Sequence, residues 1–255
     1  MTTTLAIANQ KGGVAKTTTV ASLGAALAEL GHSVLLVDLD PQACLTFSLG
    51  IDPEDLEVSV HQVLTQGVAA AEVIIATDDG VDLLPSTIEL ARAEAELLTR
   101  TGREQALRAV LEDLAAGGTA YDWVLLDCPP SLGVMTVAAL TAADAVLIPL
   151  QCETLSHRGV GQLLDTVHDV RRFTNRGLEV WGVLPTLYDG RTNHARAVLE
   201  TISQTYDLDV IEPPIPKSIR FAEAPAAGRS ILRTSRSNKG AQAYRDVAAG
   251  LLNRN

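Results

Sequence analysis

The residues best suited to chemistry form one short loop, Lys11-Gly-Gly-Val-Ala-Lys16-Thr17-Thr18, close to the start of a 255-residue chain. Gly12 and Gly13 let backbone amides wrap around an anion, and Val14 and Ala15 complete the turn. Lys16 neutralises phosphate charge, and the hydroxyl of Thr17, followed by Thr18, is placed to ligate Mg2+. Against the usual GxxxxGK[ST] pattern, Gln10 stands where the first glycine would be and Lys11 adds a second lysine. An extended Lys11 can bring charge to a phosphate held by a second subunit, as an arginine finger does; the plainer reading is an exposed loop lysine. Three carboxylates, Asp38, Asp40 and Asp127, each end or follow an aliphatic run, at the strand edge where open α/β sheets bind ligands. Asp38 and Asp127 join Thr17 as candidate metal ligands, Asp127 through a water because Mg2+ keeps much of its hydration shell. Asp40 is the candidate for orienting an attacking water. Any one of them could instead cap the turn after its strand.

Short aliphatic runs alternating with helical patterns must position these groups. Strands are expected at residues 5–8, 33–38, 81–84, 123–127, 145–150, 179–184 and 208–211, each nearly free of polar alternation, as strands covered on both faces are. Helices are expected at 16–30, stopped by Gly31, and at 103–115, 134–142, 153–173, 192–204 and 239–252, the last carrying Tyr244, Val247, Ala248 and Leu251 on one side. The pattern predicts one α/β domain over residues 1–255, a mostly parallel twisted sheet with helices on both faces.

Composition excludes several classes. At 47% apolar and 20% charged residues the chain is neither disordered nor collagen-like. Cys44, Cys128 and Cys152 form no CxxC pair, which argues against a zinc ribbon, an iron–sulfur carrier or a secreted disulfide scaffold. With no basic leader and no apolar run of membrane-spanning length, a cytoplasmic protein is expected.

The net charge of −11 argues against nucleic acid until it is divided along the chain. Residues 1–150 carry −14, residues 151–255 carry +3, and the 33 residues 213–245 carry +6, with Glu223 the one acid among seven bases. Arg191, Lys217, Arg220, Arg229, Arg233 and Arg236 are therefore the candidate contacts to a polyanion such as DNA, against the plainer reading of a solvated basic stretch.

The loop resembles the deviant Walker A motif of the ParA/Soj and MinD group of P-loop ATPases. Other segments narrow the resemblance to ParA/Soj: Asp38-Leu-Asp40-Pro-Gln42, Thr87-Ile-Glu-Leu-Ala-Arg-Ala-Glu94, Leu125-Leu-Asp127-Cys-Pro-Pro130, Leu184-Pro-Thr-Leu-Tyr188-Asp-Gly-Arg191-Thr192, and Ile215-Pro-Lys-Ser-Ile-Arg220-Phe-Ala-Glu223-Ala-Pro225. That resemblance implies ATP and Mg2+ as cofactors, with Pro216 among the nucleotide-binding residues and Asp40 as the catalytic carboxylate beside Lys11 and Lys16. It also implies an ATP-dependent homodimer that binds DNA without sequence preference at the nucleoid, released by slow hydrolysis that a ParB-like partner stimulates. Because the loop begins so near the N-terminus, a preceding helix-turn-helix domain is not expected. The family usually has glycine at the position of Ala15; if that position needs a positive φ, the methyl costs on the order of 1 kcal/mol and slows hydrolysis more than binding. The alternatives are a MinD-like membrane switch, for which residues 241–252 are weakly apolar and carry little charge, and a nucleotide-gated scaffold with very slow hydrolysis.

Overall fold

The computed structural model describes residues 2–153 and 156–254. β1 (Thr3–Ile7) runs through the loop into α1 (Lys16–Glu29), followed by β2 (Val34–Asp38), α2 (Cys44–Ser48), α3 (Val60–Gln66), α4 (Ala70–Val73), β3 (Ile75–Ala76) and β4 (Asp82–Leu84). Next come α5 (Leu90–Leu98), α6 (Ala106–Ala116), β5 (Trp123–Asp127), α7 (Val134–Ala142), β6 (Ala145–Gln151), α8 (Ser156–Phe173), β7 (Glu179–Thr186) and α9 (Asn193–Tyr206). The chain closes with α10 (Arg220–Glu223), α11 (Ile231–Thr234) and α12 (Lys239–Leu251). The sheet order is β3-β4-β2-β5-β1-β6-β7, parallel throughout except for β3 against β4.

Alternate residues of the central strands feed two cores. Ala6, Leu35, Val37, Val124 and Leu126 enter one; Leu5, Ile7, Leu36, Trp123 and Leu125 enter the other, so both faces are apolar and the strands read as continuous hydrophobic runs. α12 packs on α1 in the second core, where Tyr244, Val247, Ala248 and Leu251 are buried and the Tyr244 hydroxyl lies 2.9 Å from that of Thr19. The apolar face weighed above for a membrane is thus spent on the helix that follows the phosphate loop. Among the described residues no helix is long and apolar enough to cross a membrane.

One expectation needs correction. The run at 208–211 is not a strand but a single parallel bridge, Val183 to Val210, carried by two backbone bonds. Pro213 and Pro214 follow at once and have no N–H to continue a ladder. β4 matches the strand expected at 81–84, while the two-residue β3 that pairs with it is too short to show periodicity and was not expected. Of the helix expected at 153–173, residues 154 and 155 lie outside the described residues and the helix is Ser156–Phe173.

Candidate nucleotide site

The phosphate loop is held at both ends by its neighbours. Asn9, buried just after β1, donates from Nδ2 to the Pro149 carbonyl at 2.8 Å and accepts the Lys11 amide at 3.0 Å. The Val14 carbonyl accepts the Thr186 hydroxyl at 2.9 Å, tying the loop to the end of β7. Between these anchors Gly13 takes φ 76, and Ala15 takes φ 65, ψ 35 as it opens α1. The position where the family usually has glycine is therefore left-handed in this chain, and the alanine methyl carries a local strain of about 1–2 kcal/mol. Strain of this kind recurs beside the cleft at Leu187, φ 49.

Lys16 is buried, and its Nζ folds back onto the Lys11 carbonyl at 3.2 Å. Burial lowers its pKa, while the charges of Asp127 and Asp40 partly restore it. Gly12, Gly13, Ala15, Lys16, Thr17 and Thr18 line an open cleft of about 870 Å³, completed across from the loop by Asp40, Cys44, Leu187, Lys217 and Phe221. Val14 is buried beneath the loop. Lys11, half-buried, turns sideways so that its Nζ lies 2.5 Å from Glu153.

Strand register brings the acids together. Asp38 of β2 stands opposite Asp127 of β5, which in turn stands opposite Ile7 of β1. Their environments differ sharply. Asp38 accepts three hydrogen bonds, from the Thr46 amide (2.9 Å) and hydroxyl (2.8 Å) and from the Asp40 amide (3.1 Å). Burial pushes its carboxyl up to about 6 despite those donors. Asp127 is as buried, yet neither oxygen has a well-formed hydrogen bond. Burial, and then the charge of Asp38, push its pKa well up; the nearby Thr17 hydroxyl and Lys16 ammonium offset only part of this. A buried carboxylate with unsatisfied oxygens beside a hydroxyl fits a hydrated divalent cation, so of the two acids predicted as ligands Asp127 is the one open for the role. Asp38 instead shapes the turn that carries Asp40. Asp40 is half-buried on the cleft wall, its Oδ1 receiving the Gln42 amide at 3.0 Å and its carbonyl the Ser86 hydroxyl at 2.9 Å.

The candidate contacts elsewhere are dispersed. Pro216 bridges to Tyr188 and faces a different depression with Pro213 and Pro214, while its neighbour Lys217 lines the cleft. Arg191 is exposed and forked onto Asp189, Arg220 pairs with Glu223 at 2.7 Å, Arg229 with Asp78, and Arg233 reaches Asp79. Arg236 is exposed, with its carbonyl accepting from Arg245. Sequence reasoning missed Asn9, Thr46, Ser86, Glu153 and Thr186, which act by holding other groups; the Asn9-x-Lys11 spacing of an Asx turn was the one local signal among them.

A family model described as an AAA domain matches residues 2–180. The sporulation initiation inhibitor protein Soj of Bacillus subtilis (strain 168) is 43% identical over 245 residues, 96% of each chain. The chromosome partitioning protein ParA of Caulobacter vibrioides is 41% identical over 251 residues, 98% of this chain and 94% of the relative. A solved structure of cobyrinic acid a,c-diamide synthase from Mycobacterium smegmatis with bound ADP and magnesium is 55% identical, TM-score 0.88, covering 99% of this chain and 94% of that one. The septum site-determining protein MinD of Pyrococcus horikoshii, complexed with Mg-ADP, is 26% identical with a TM-score of 0.78, covering 98% and 96%.

Proposed function

The chain belongs to the ParA/Soj family of P-loop ATPases, and on that premise we propose that it is an ATP-hydrolysing switch of DNA segregation. The observation that carries the reading is the pairing of a strained, doubly anchored phosphate loop with the orphaned Asp127 carboxylate at the same strand edge. ATP enters the cleft with its phosphates on the loop amides and Lys16. Thr17 and Asp127 would hold Mg2+, which would supply charge neutralisation at the phosphates. Asp40 orients water for attack, and the strained Ala15 makes turnover slow.

Lys11 leaves Glu153 to reach the phosphates of a second subunit, so dimerisation depends on nucleotide. The closed dimer presents two basic segments to DNA, which multiplies two weak affinities, and hydrolysis stimulated by a ParB-like protein releases it. Nucleoid association follows from that binding.

Fluorescence polarisation with random duplex DNA, run without nucleotide, with ADP and with a slowly hydrolysed ATP analogue, tests the reading together with light scattering for dimer. Tight, salt-sensitive binding by the ATP-analogue state alone is expected. Lys11→Ala should retain nucleotide but neither dimerise nor bind DNA tightly. Equal DNA binding in every state, or a Lys11→Ala protein that dimerises normally, would overturn the reading.

A further inference from the structure

The basic segment meets an acidic turn of the sheet edge. Between β3 and β4 the chain reverses through Asp78-Asp79-Gly80, closed by the Thr77 amide and hydroxyl on the Val81 carbonyl at 3.0 and 2.7 Å. The two aspartates do different work. Asp79 is buried: its Oδ2 accepts the Ser230 amide at 2.7 Å, and its carbonyl accepts Arg233 at 3.0 Å. Asp78 is exposed, and its Oδ2 holds the guanidinium of Arg229 across 151 residues of sequence, with the two side chains 69% and 50% exposed. The pairs made by Arg191 and Arg220 are local ones, two and three residues apart.

The backbone on either side of Arg229 is fixed. Gly228 sits at φ 63 against Gly50, where an added Cβ would come 2.7 Å from the Gly50 Cα, and the Ser230 amide is held by Asp79. Only the guanidinium is free to change partner. A carboxylate and a phosphodiester present it with the same pair of oxygens, and an exposed ion pair is weak enough to exchange.

We propose that Asp78 is an internal stand-in for phosphate that holds Arg229 back from DNA, so that Arg229 joins the interface only by exchanging Asp78 for a backbone phosphate. This rests on the reading of the basic segment as the DNA-binding face and regulates that same surface. It keeps one phosphate contact out of each protomer's affinity and so helps confine tight binding to the paired, nucleotide-bound form.

The test is a double-mutant cycle on random duplex DNA with the ATP analogue and Mg2+ over a salt series, using wild type, Asp78→Asn, Arg229→Ala and the double variant. Matching melting curves confirm that all four are folded. Asp78→Asn should tighten binding about two- to fivefold and steepen the log–log salt slope by about 0.9 for each protomer in contact. Arg229→Ala alone should change little, and the double variant should lose the whole gain. A gain that survives without Arg229 shows diffuse charge removal and overturns the proposal. So does an unchanged Asp78→Asn on a wild type that binds. No binding by either protein in any nucleotide state overturns the DNA-binding reading itself.

Discussion

The nucleotide edge and the basic segment are both rich in charge, and the fold treats them in opposite ways. At the edge, Lys16 and Asp127 are buried beside each other without a direct bond, and Asp127 has no well-formed hydrogen bond at all. In the basic segment, Arg220, Arg229 and Arg233 each face an acid already, two of the three on the surface. The first arrangement leaves interactions unsatisfied that a phosphate and a metal would complete. At these three arginines the second is already paired, so a polyanion gains there only the difference between its own contacts and the pairs it displaces. The edge is thus built for strong, specific contacts, and the segment offers only weak surface pairs to exchange.

The largest effect that sharpens this contrast is on turnover. Asp40→Ala should lower ATP hydrolysis about 10²–10⁴-fold while leaving nucleotide bound, so that an ATP-loaded dimer accumulates on size-exclusion chromatography; undiminished turnover would remove Asp40 from the reaction. Lys16→Ala should weaken ATP binding about 100-fold, measured with a fluorescent nucleotide. A near-normal affinity would show that the loop amides suffice and that the buried lysine is structural.

Arg233→Ala should behave as a core mutation although it lies in the basic segment. It leaves the buried Asp79 without its cation and should cost about 1–3 kcal/mol of stability in urea unfolding, with nucleotide affinity unchanged. An unaltered midpoint would mean that the Ser230 amide alone satisfies Asp79.

A pH effect separates the two regions further. Because burial raises the Asp38 carboxyl to about 6, the folded protein keeps a proton that an unfolded chain has lost above about 3.9. Stability of the nucleotide-free protein therefore falls as pH rises from about 4 to about 6, and Asp127, pushed the same way, extends the decline. Asp38→Asn should flatten the slope in that window, and an identical slope would place the titration elsewhere. The smallest effect is at Arg220, whose exposed pair with Glu223 is worth little: Arg220→Ala should shift stability by less than about 0.5 kcal/mol. A larger loss would show that the surface pairs brace the fold.

Much of the fold was legible because its strands are buried on both faces. β1, β2, β5, β6 and β7 all fall within one or two residues of the expected runs, as do α1, α7 and α12. α3 was legible in principle and overlooked: Ser59 and Gln62 form a capping box, a local signal that needs no tertiary context. The false strand at 208–211 shows the opposite case, an aliphatic run that ends in prolines and so completes only one bridge.

By itself the sequence determined the phosphate loop, the parallel sheet and the strand-end position of Asp38 and Asp127, because glycine spacing and aliphatic runs are local properties that act over a few residues. It also determined that positive charge gathers toward the C-terminus. Only the tertiary structure decided what each charge faces. Glu153 beside Lys11, Thr46 beneath Asp38, and Asp78 across from Arg229 are contacts over 142, 8 and 151 residues. Whether a carboxylate is satisfied or orphaned, and whether an arginine is available or already held, depends on those distant partners and on the dielectric that burial sets, neither of which is written in local spacing.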